Sequence, residues 1–386
     1  MKLFTLFYSI LLVVLYIIAL PVIFTLSFKP KYKNSIPARF FLRNNRAFKE
    51  NGIWFHVCSF GEAKALQPIL QKLEQKRVNI STITATGYSE ASKYEADVRY
   101  LPFELFLPFW IKEQKQVVVL EAEFWYLLFA IVKSRGSKLI LLNARISDRS
   151  YPKYKKFSWF YKRVFKFVDK AFVQSIEDQK RFKSLGLENI EVTGNIKLAQ
   201  KIVATRFFEK LPCEVITAGS THENEEEPII KAFIEHKKEN NSKLIIVPRH
   251  PERFDSVYKL IESNSDNLSH SRWSKTENFE ADIVLIDTLG ELNNIYAITD
   301  VAILGGAFIK SAGGHNPLEP AAFGCKIVTG KHIQNQRELF KYVKDVQFIE
   351  ESEILKALEN AKVLPPSSMN EKIDISRITE YLNKEN

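Results

Sequence analysis

Asp300-Val-Ala-Ile-Leu304 followed by Gly305-Gly306, and then Gly313-Gly-His-Asn-Pro-Leu-Glu-Pro320, is the most informative stretch of the chain. The first run is short, apolar and β-branched, bounded by an acid and a glycine pair, as expected of a strand buried on both faces. The second opens a short helix. Asn316 is placed as N-cap, Pro317 as first helical residue and Glu319 three residues past the cap, and Gly324 stops it. Strand, glycine-loosened loop and helix make the half-unit of a parallel α/β sheet. The free N–H groups and positive dipole end of such a helix suit an anion, usually a phosphate.

Working outward, the same alternation recurs. Glu214-Val-Ile-Thr-Ala218, Leu244-Ile-Ile-Val247, Ile283-Val-Leu-Ile286 and Lys326-Ile-Val-Thr329 read as further strands. An earlier series runs through Gly52-Ile-Trp-Phe-His-Val57, Asn79-Ile-Ser-Thr-Ile-Thr84, Gln116-Val-Val-Val-Leu120, Lys138-Leu-Ile-Leu-Leu142 and Lys170-Ala-Phe-Val173. A helix is expected from Ser59 through Leu73, and the two series part near residues 198–213. Strands alternating with helices predict an α/β protein of two Rossmann-like domains, with the ligand in the crevice outside the carboxyl ends of the strands. The predicted division is 1–28, 29–205, 206–370 and a polar helical tail over 371–386.

The residues from Leu3 to Phe28 carry no charge and are long enough to cross a bilayer. No Ala-x-Ala-like cleavage site follows. Lys29, Lys31, Lys33, Arg39, Arg43 and Arg46 come next against a lone Lys2 before, so the positive-inside rule places the rest of the chain in the cytoplasm of a membrane-anchored protein. Pro21 and several hydroxyl residues leave a shallow, monotopic helix open. The net charge of +10 allows nucleic acid, an anionic membrane surface or anionic small substrates; the absence of zinc-finger spacing, RNP-like motif and Arg-rich tail argues against nucleic acid. The three cysteines, Cys58, Cys213 and Cys325, are far apart and fit a reducing compartment, with no disulfide framework or metal cluster expected. Tyr151 to Lys170 carries seven Lys/Arg and eight aromatics with one acid, a composition that suits an anionic interface, though part of it must face the core.

Loops at the expected strand ends carry groups able to do chemistry. In the second domain Ser220-Thr-His-Glu223 reads either as a capping box or as a site loop presenting His222. In Pro248-Arg-His-Pro-Glu-Arg253, Arg249 and His250 stand where a phosphate would lie, unless Arg249 pairs with a surface carboxylate. In Leu289-Gly290-Glu291-Leu292, Glu291 either accepts from ribose hydroxyls or begins a helix. The first domain offers acids. Glu62, after Ser59-Phe-Gly61, is either a general base raised by desolvation or a favourable charge at a helix start. Glu121 and Glu123 form a polar site or an exposed strand end, and Asn143-Ala-Arg145 and Gly194-Asn-Ile-Lys197 add cations.

Taken together and in order, Ser59-Phe-Gly-Glu62, Asn143-Ala-Arg145, Gly194-Asn-Ile-Lys197, Ser220-Thr-His-Glu223, Pro248-Arg-His-Pro-Glu-Arg253 and Gly313-Gly-His-Asn-Pro-Leu-Glu-Pro320 resemble the 3-deoxy-D-manno-octulosonic acid (Kdo) transferase family, the lipid A glycosyltransferases of Gram-negative bacteria. The resemblance runs from the apolar N-terminus to about residue 345. Two departures stand out. Cys58-Ser-Phe-Gly-Glu62 replaces the usual Val-Ser-Val-Gly-Glu, and Glu121-Ala-Glu-Phe-Trp-Tyr126 replaces Glu-Thr-Glu-Leu-Trp-Pro, so the acids survive while local packing changes. The resemblance implies a GT-B fold and inverting transfer from CMP-Kdo to a glucosamine hydroxyl of lipid A precursor at the inner membrane, with neither metal nor cofactor. It implies Glu62 as general base, and Glu121 or Glu123 with Lys197 as groups that steady the transition state. Ser220, Pro248, Arg249, His250, the Leu289–Leu292 loop and Asn316, Pro317, Leu318 and Glu319 fall on the CMP side; His315 either binds donor or shapes the loop. Two other readings remain: a membrane-attached GT-B enzyme using a UDP-sugar, and a non-catalytic membrane-surface binding protein.

Overall fold

A computed structural model describes residues 2–74, 77–370 and 373–384. Of the segments expected from sequence, residue 1 of the anchor and residues 371, 372, 385 and 386 of the tail lie outside the described residues. The chain divides into two compact units, Met1–Gln200 with Ile373–Asn386, and Lys201–Lys372.

The first unit is built on a seven-stranded, all-parallel sheet. Its strands are β1 (Ile53–Val57), β2 (Val78–Thr82), β3 (Asp97–Tyr100), β4 (Gln116–Leu120), β5 (Lys138–Ala144), β6 (Lys170–Val173) and β7 (Ile190–Val192), in the order β3-β2-β1-β4-β5-β6-β7. Strand alternation feeds two cores. Trp54, Val117, Val119, Leu139 and Leu141 pack on one face, and Ile53, Phe55, Val57, Val118 and Ile140 on the other. The predicted helix from Ser59 to Leu73 is shorter and broken, into Phe60–Ala65 and Gln67–Leu70. Pro68 opens the second piece, since a proline inside one continuous helix removes a hydrogen bond and crowds the preceding turn.

The C-terminal segment is less polar in effect than its composition suggests. Helix Ser376–Lys384 returns to the first unit and buries Ile378 and Leu382 in the second core, while Gln116 Nε2 donates to the Leu382 carbonyl at 2.8 Å. Its apolar stripe has helical spacing, which average composition hides.

The N-terminal helix α1 (Lys2–Ser27) is apolar over Leu3–Ser27 and long enough to cross a bilayer. One side of it is tied to the first unit. Thr5 Oγ1 and Tyr126 Oη lie 2.8 Å apart, Tyr8 Oη donates to Glu104 at 2.8 Å, and Tyr16 Oη donates to the Phe40 carbonyl at 2.7 Å. Tyr126, which stands where the family usually has proline, is buried beneath α1 against Phe4 and Tyr8. The basic aromatic stretch forms two helices, Tyr151–Lys156 and Ser158–Phe165. Phe165 and Phe167 join the core, Phe157 and Trp159 are exposed, and Phe4 packs on Trp159 and Phe160.

The second unit repeats the plan: β8 (Glu214–Thr221), β9 (Ser242–Pro248), β10 (His270–Arg272), β11 (Ile283–Leu285), β12 (Val301–Leu304), β13 (Lys326–Gly330) and, beyond the two-residue β14 (Val343–Lys344), β15 (Val346–Ile349). The parallel order is β10-β11-β9-β8-β12-β13-β15, and β14 pairs with β16 (Ser368–Met369) in a small antiparallel ladder. In both sheets the strand order reverses beside the first strand, between β1 and β4 and between β8 and β12. Ligands of open parallel sheets bind outside the carboxyl ends at such a reversal.

Candidate active site

In the first unit the reversal places the loops after β1 and β4 side by side. Ser59 caps helix Phe60–Ala65. Its hydroxyl accepts from the Glu62 N–H at 3.3 Å and donates to Glu62 Oε1 at 2.8 Å, while Glu62 Oε2 accepts from the Cys58 N–H at 2.9 Å. The helix-start charge and the candidate site group are therefore one arrangement: the Ser59 cap fixes the Glu62 carboxylate. It is 8% exposed. Burial first, and the nearby Glu121 charge second, push its pKa up to about 7; the Cys58 N–H, Ser59 and Lys197 hold it down. A Cβ on Gly61 would meet nothing within 4 Å, so space beside this helix start is open.

Glu121 follows β4 with φ at +54°, a left-handed conformation rare for glutamate. Its Oε1 accepts from Lys197 Nζ at 2.8 Å, and Arg145 Nε stands 3.8 Å from Oε2. The two polar motifs of β5 and the segment after β7 converge here. Asn143 Oδ1 accepts from the Ile196 N–H at 3.0 Å, and Asn195 Oδ1 accepts from the Lys197 N–H at 3.1 Å. Glu123 faces elsewhere: its Oε2 accepts from Trp125 Nε1 at 2.8 Å, and its carboxylate lies toward His56 and Cys58. Of the two acids, Glu121 is the one paired with Lys197.

The second unit gathers histidines. His222, after β8, and His315, in the glycine loop after β12, have Nε2 atoms 2.8 Å apart and stacked rings, with the His250 ring edge-on to His222. One Nε2 donates and the other accepts, so the pair holds a single proton between these atoms. Burial and neighbouring positive groups drive His315 down to about 3 and lower His222 as well. Gly306, at φ +71°, is required: a Cβ there would lie 2.6 Å from the His315 ring.

Several expectations change in this unit. Ser220 and Glu223 form no capping box. Ser220 belongs to β8, at φ +57° beside a register shift, and the helix begins later, at Glu226. The group that holds the loops is Glu225, which the sequence reading missed. It is 1% exposed and accepts from the N–H groups of His222, Gly306 and Phe308 at 2.9, 2.8 and 3.1 Å. In Pro248–Arg253, Arg253 makes a bidentate pair with buried Glu226 at 2.7 and 2.9 Å. Arg249 and His250 are exposed, and Arg249 makes no side-chain hydrogen bond or ion pair among the described residues. Pro248 ends β9.

Pro317, not Asn316, is the N-cap, and the helix is only Leu318–Ala322, including Glu319; Asn316, one residue earlier, accepts from the Leu318 N–H through Oδ1 at 3.1 Å. Five residues make a weak dipole, so the anion-binding argument from this helix loses force. Glu291 accepts from Asn294 Nδ2 at 2.8 Å, and Asn294 Oδ1 in turn takes the N–H groups of Thr205 and Arg206. That is a structural role at the start of helix Leu292–Tyr296; Leu289 is exposed and Gly290 turns at φ +92°.

Two parallel-sheet α/β units with polar loops at each strand-order reversal make up a fold of GT-B type. Solved structures with this fold include S. aureus MnaA with UDP, at 14% identity, TM-score 0.52, covering 86% of this chain and 97% of that one. Another is UDP-GlcNAc 2-epimerase from Neisseria meningitidis bound to UDP-GlcNAc, at 10% identity, TM-score 0.51, covering 86% and 93%. The family profile "3-Deoxy-D-manno-octulosonic-acid transferase (kdotransferase)" matches residues 34–200. The 3-deoxy-D-manno-octulosonic acid transferase of Haemophilus influenzae is 33% identical, covering 92% of this chain and 89% of that protein. The chain belongs to the Kdo transferase family and is a glycosyltransferase.

Proposed function

We propose that this chain moves Kdo from CMP-Kdo, with inversion and without a metal ion, to a glucosamine hydroxyl of lipid A precursor during lipopolysaccharide assembly. The observation that carries the proposal is Glu62, a buried carboxylate with its pKa near 7 beside the Glu121–Lys197 pair. Glu62 takes the acceptor hydroxyl proton as that oxygen bonds to the Kdo anomeric carbon. The bond from that carbon to the CMP phosphate oxygen breaks, and CMP leaves with the electron pair. Lys197 and Arg145, fixed by Glu121, supply positive charge near the reacting groups. Arg249 is suited to the donor phosphate, and the neutral His222–His315 pair to hydrogen bonds with the nucleotide sugar.

The lipid side of the reading rests on α1 and its neighbours. With one side of α1 bound to the first unit and the other exposed and apolar, a monotopic placement at the cytoplasmic face of the inner membrane fits better than an isolated span. An apolar groove of about 270 Å³, lined by Phe4, Phe7, Leu11, Phe157, Trp159 and Phe160, is suited to an acyl chain.

The test is incubation with CMP-Kdo and tetra-acylated lipid A precursor in chelator, with products weighed by mass spectrometry. The expected product gains Kdo, and the mass counts the units added. Protection by UDP rather than CMP would favour a UDP-sugar donor, and no transfer by intact protein would favour a binding protein.

A further inference from the structure

One cluster beside the proposed site, with His56 buried and Cys58 and Glu123 half-buried, has no part in the transfer chemistry above. His56 lies at the end of β1, Cys58 in the loop that follows, and Glu123 in the loop after β4. His56 Nε2 is 3.7 Å from Cys58 Sγ, and one ligand-capable atom from each of the three residues lies within 4.8 Å of the others. We propose that His56 Nε2, Cys58 Sγ and a Glu123 carboxylate oxygen form a three-ligand site for zinc or a similarly thiophilic divalent cation, with a fourth position open.

Geometry and orientation both favour it. Zinc bonds of about 2.0–2.1 Å to nitrogen and 2.3 Å to sulfur place those atoms roughly 3.5 Å apart in a tetrahedron, close to the nitrogen–sulfur separation seen here. With all three atoms within 4.8 Å of one another, no edge need close by more than roughly 1.3 Å. Two of the ligands are braced from behind. His56 Nδ1 lies 3.3 Å from the Ser81 carbonyl and 2.8 Å from Ser81 Oγ, and Trp54 Nε1 donates to the same Oγ at 2.8 Å. A carbonyl only accepts, so the proton sits on Nδ1 and leaves the Nε2 lone pair pointing at Cys58. Trp125 Nε1 donates to Glu123 Oε2 at 2.8 Å. Outer partners of this kind are what fix metal ligands.

The charges also balance. On binding, the Cys58 thiol releases its proton to solvent, and the thiolate and the Glu123 carboxylate meet the two charges of the ion. Arg39, whose field reaches Cys58 and Glu123, is offset by the Glu62 carboxylate on the Cys58 N–H. Cysteine spacing alone missed this group because its three residues come from β1 and from the loops after β1 and β4. The site requires Cys58, where the family usually carries valine.

The test is direct binding, which reads the site whether or not transfer occurs. Chelator-stripped intact protein is titrated with cobalt(II) and then with zinc. One equivalent of cobalt is expected to give a thiolate-to-metal charge-transfer band in the near ultraviolet, which zinc abolishes. The band is expected to vanish in Cys58→Val and to persist in Cys213→Ala, Cys325→Ala and His222→Ala. Ser81→Ala, which removes only the brace on His56, is expected to weaken binding about 10- to 100-fold. A folded wild type with no such band, or an undiminished band in folded Cys58→Val, overturns the proposal.

Discussion

Glu62 in the first unit and His315 in the second occupy matching places: Glu62, in the first turn of the helix after β1, and His315, in the loop after β12, each lie at the reversal of strand order in the sheet, and each is mostly buried. Burial favours the neutral form of both, yet the results differ. For an acid it raises the pKa into the neutral range, where the group switches readily; for a histidine it lowers the pKa far below that range, where the group stays uncharged. The first unit thus holds a titrating carboxyl group among fixed charges. The second holds an uncharged hydrogen-bonding pair beside an exposed arginine. Similar scaffolds thus suit one site to the proposed proton transfer and the other to the proposed recognition of the donor.

The strongest way to break this contrast is Glu62→Gln. Transfer is expected to fall about 10³-fold, within the usual range for a lost general base, with donor affinity unchanged in an equilibrium binding assay. Unchanged transfer would remove Glu62 from the chemistry. Next comes Lys197→Met, which leaves Glu121 without its 2.8 Å partner; kcat is expected to fall about 10²-fold. Glu123→Gln, outside that pair, is expected to lose less than about tenfold. Equal losses in single-turnover assays of these two variants would erase the distinction between the acids.

The parts of this arrangement that were legible in sequence are those carried by periodicity and local spacing. Short apolar runs between helical segments marked both sheets, and Ser59 to Glu62 marked a helix start. What stayed hidden was set by contacts distant in sequence. Nothing local separates Glu225, buried under three N–H groups, from its acidic neighbours in Glu223-Asn-Glu-Glu-Glu227. Glu121 and Glu123 are alike until the fold brings Lys197 to one and Trp125 to the other. Ser220 and Glu223 had the spacing of a cap, but β8 runs on past Ala218 and takes Ser220 into the strand. The pairing of His222 with His315 needed β8 and β12 to be neighbours, which element prediction does not supply.

The pH dependence of transfer sharpens the contrast further. The proposed base works when ionised, so kcat/KM is expected to fall about tenfold for each pH unit below about 7. His315 does not charge in that range. His315→Gln is expected to raise the donor KM several-fold, about 1 kcal/mol for one lost hydrogen bond, while leaving the acid limb in place. A limb that moves with His315→Gln and not with the Glu62 environment would reverse the roles assigned to the two units.

The last comparison concerns stability, and it tilts in opposite directions in the two units. Between the ordinary glutamate pKa of 4.5 and the folded value near 7, the folded chain keeps the Glu62 proton that the unfolded chain has lost. The unfolded state binds fewer protons there, so stability falls as pH rises through that window, by up to about 3 kcal/mol. For His315 the folded value near 3 lies below the ordinary 6.5, so the unfolded state binds the extra proton and stability is lost as pH falls from 6.5 toward 3. Glu62→Gln is therefore expected to melt higher than wild type at pH 8 and nearly level with it at pH 4.5. His315→Gln is expected to gain relative to wild type at pH 4.5 rather than at pH 8. Thermal unfolding across this range checks both, with hydrogen exchange assigning each change to its own unit because the two units need not unfold together. If both variants tilt the same way, burial is not what sets the two groups apart.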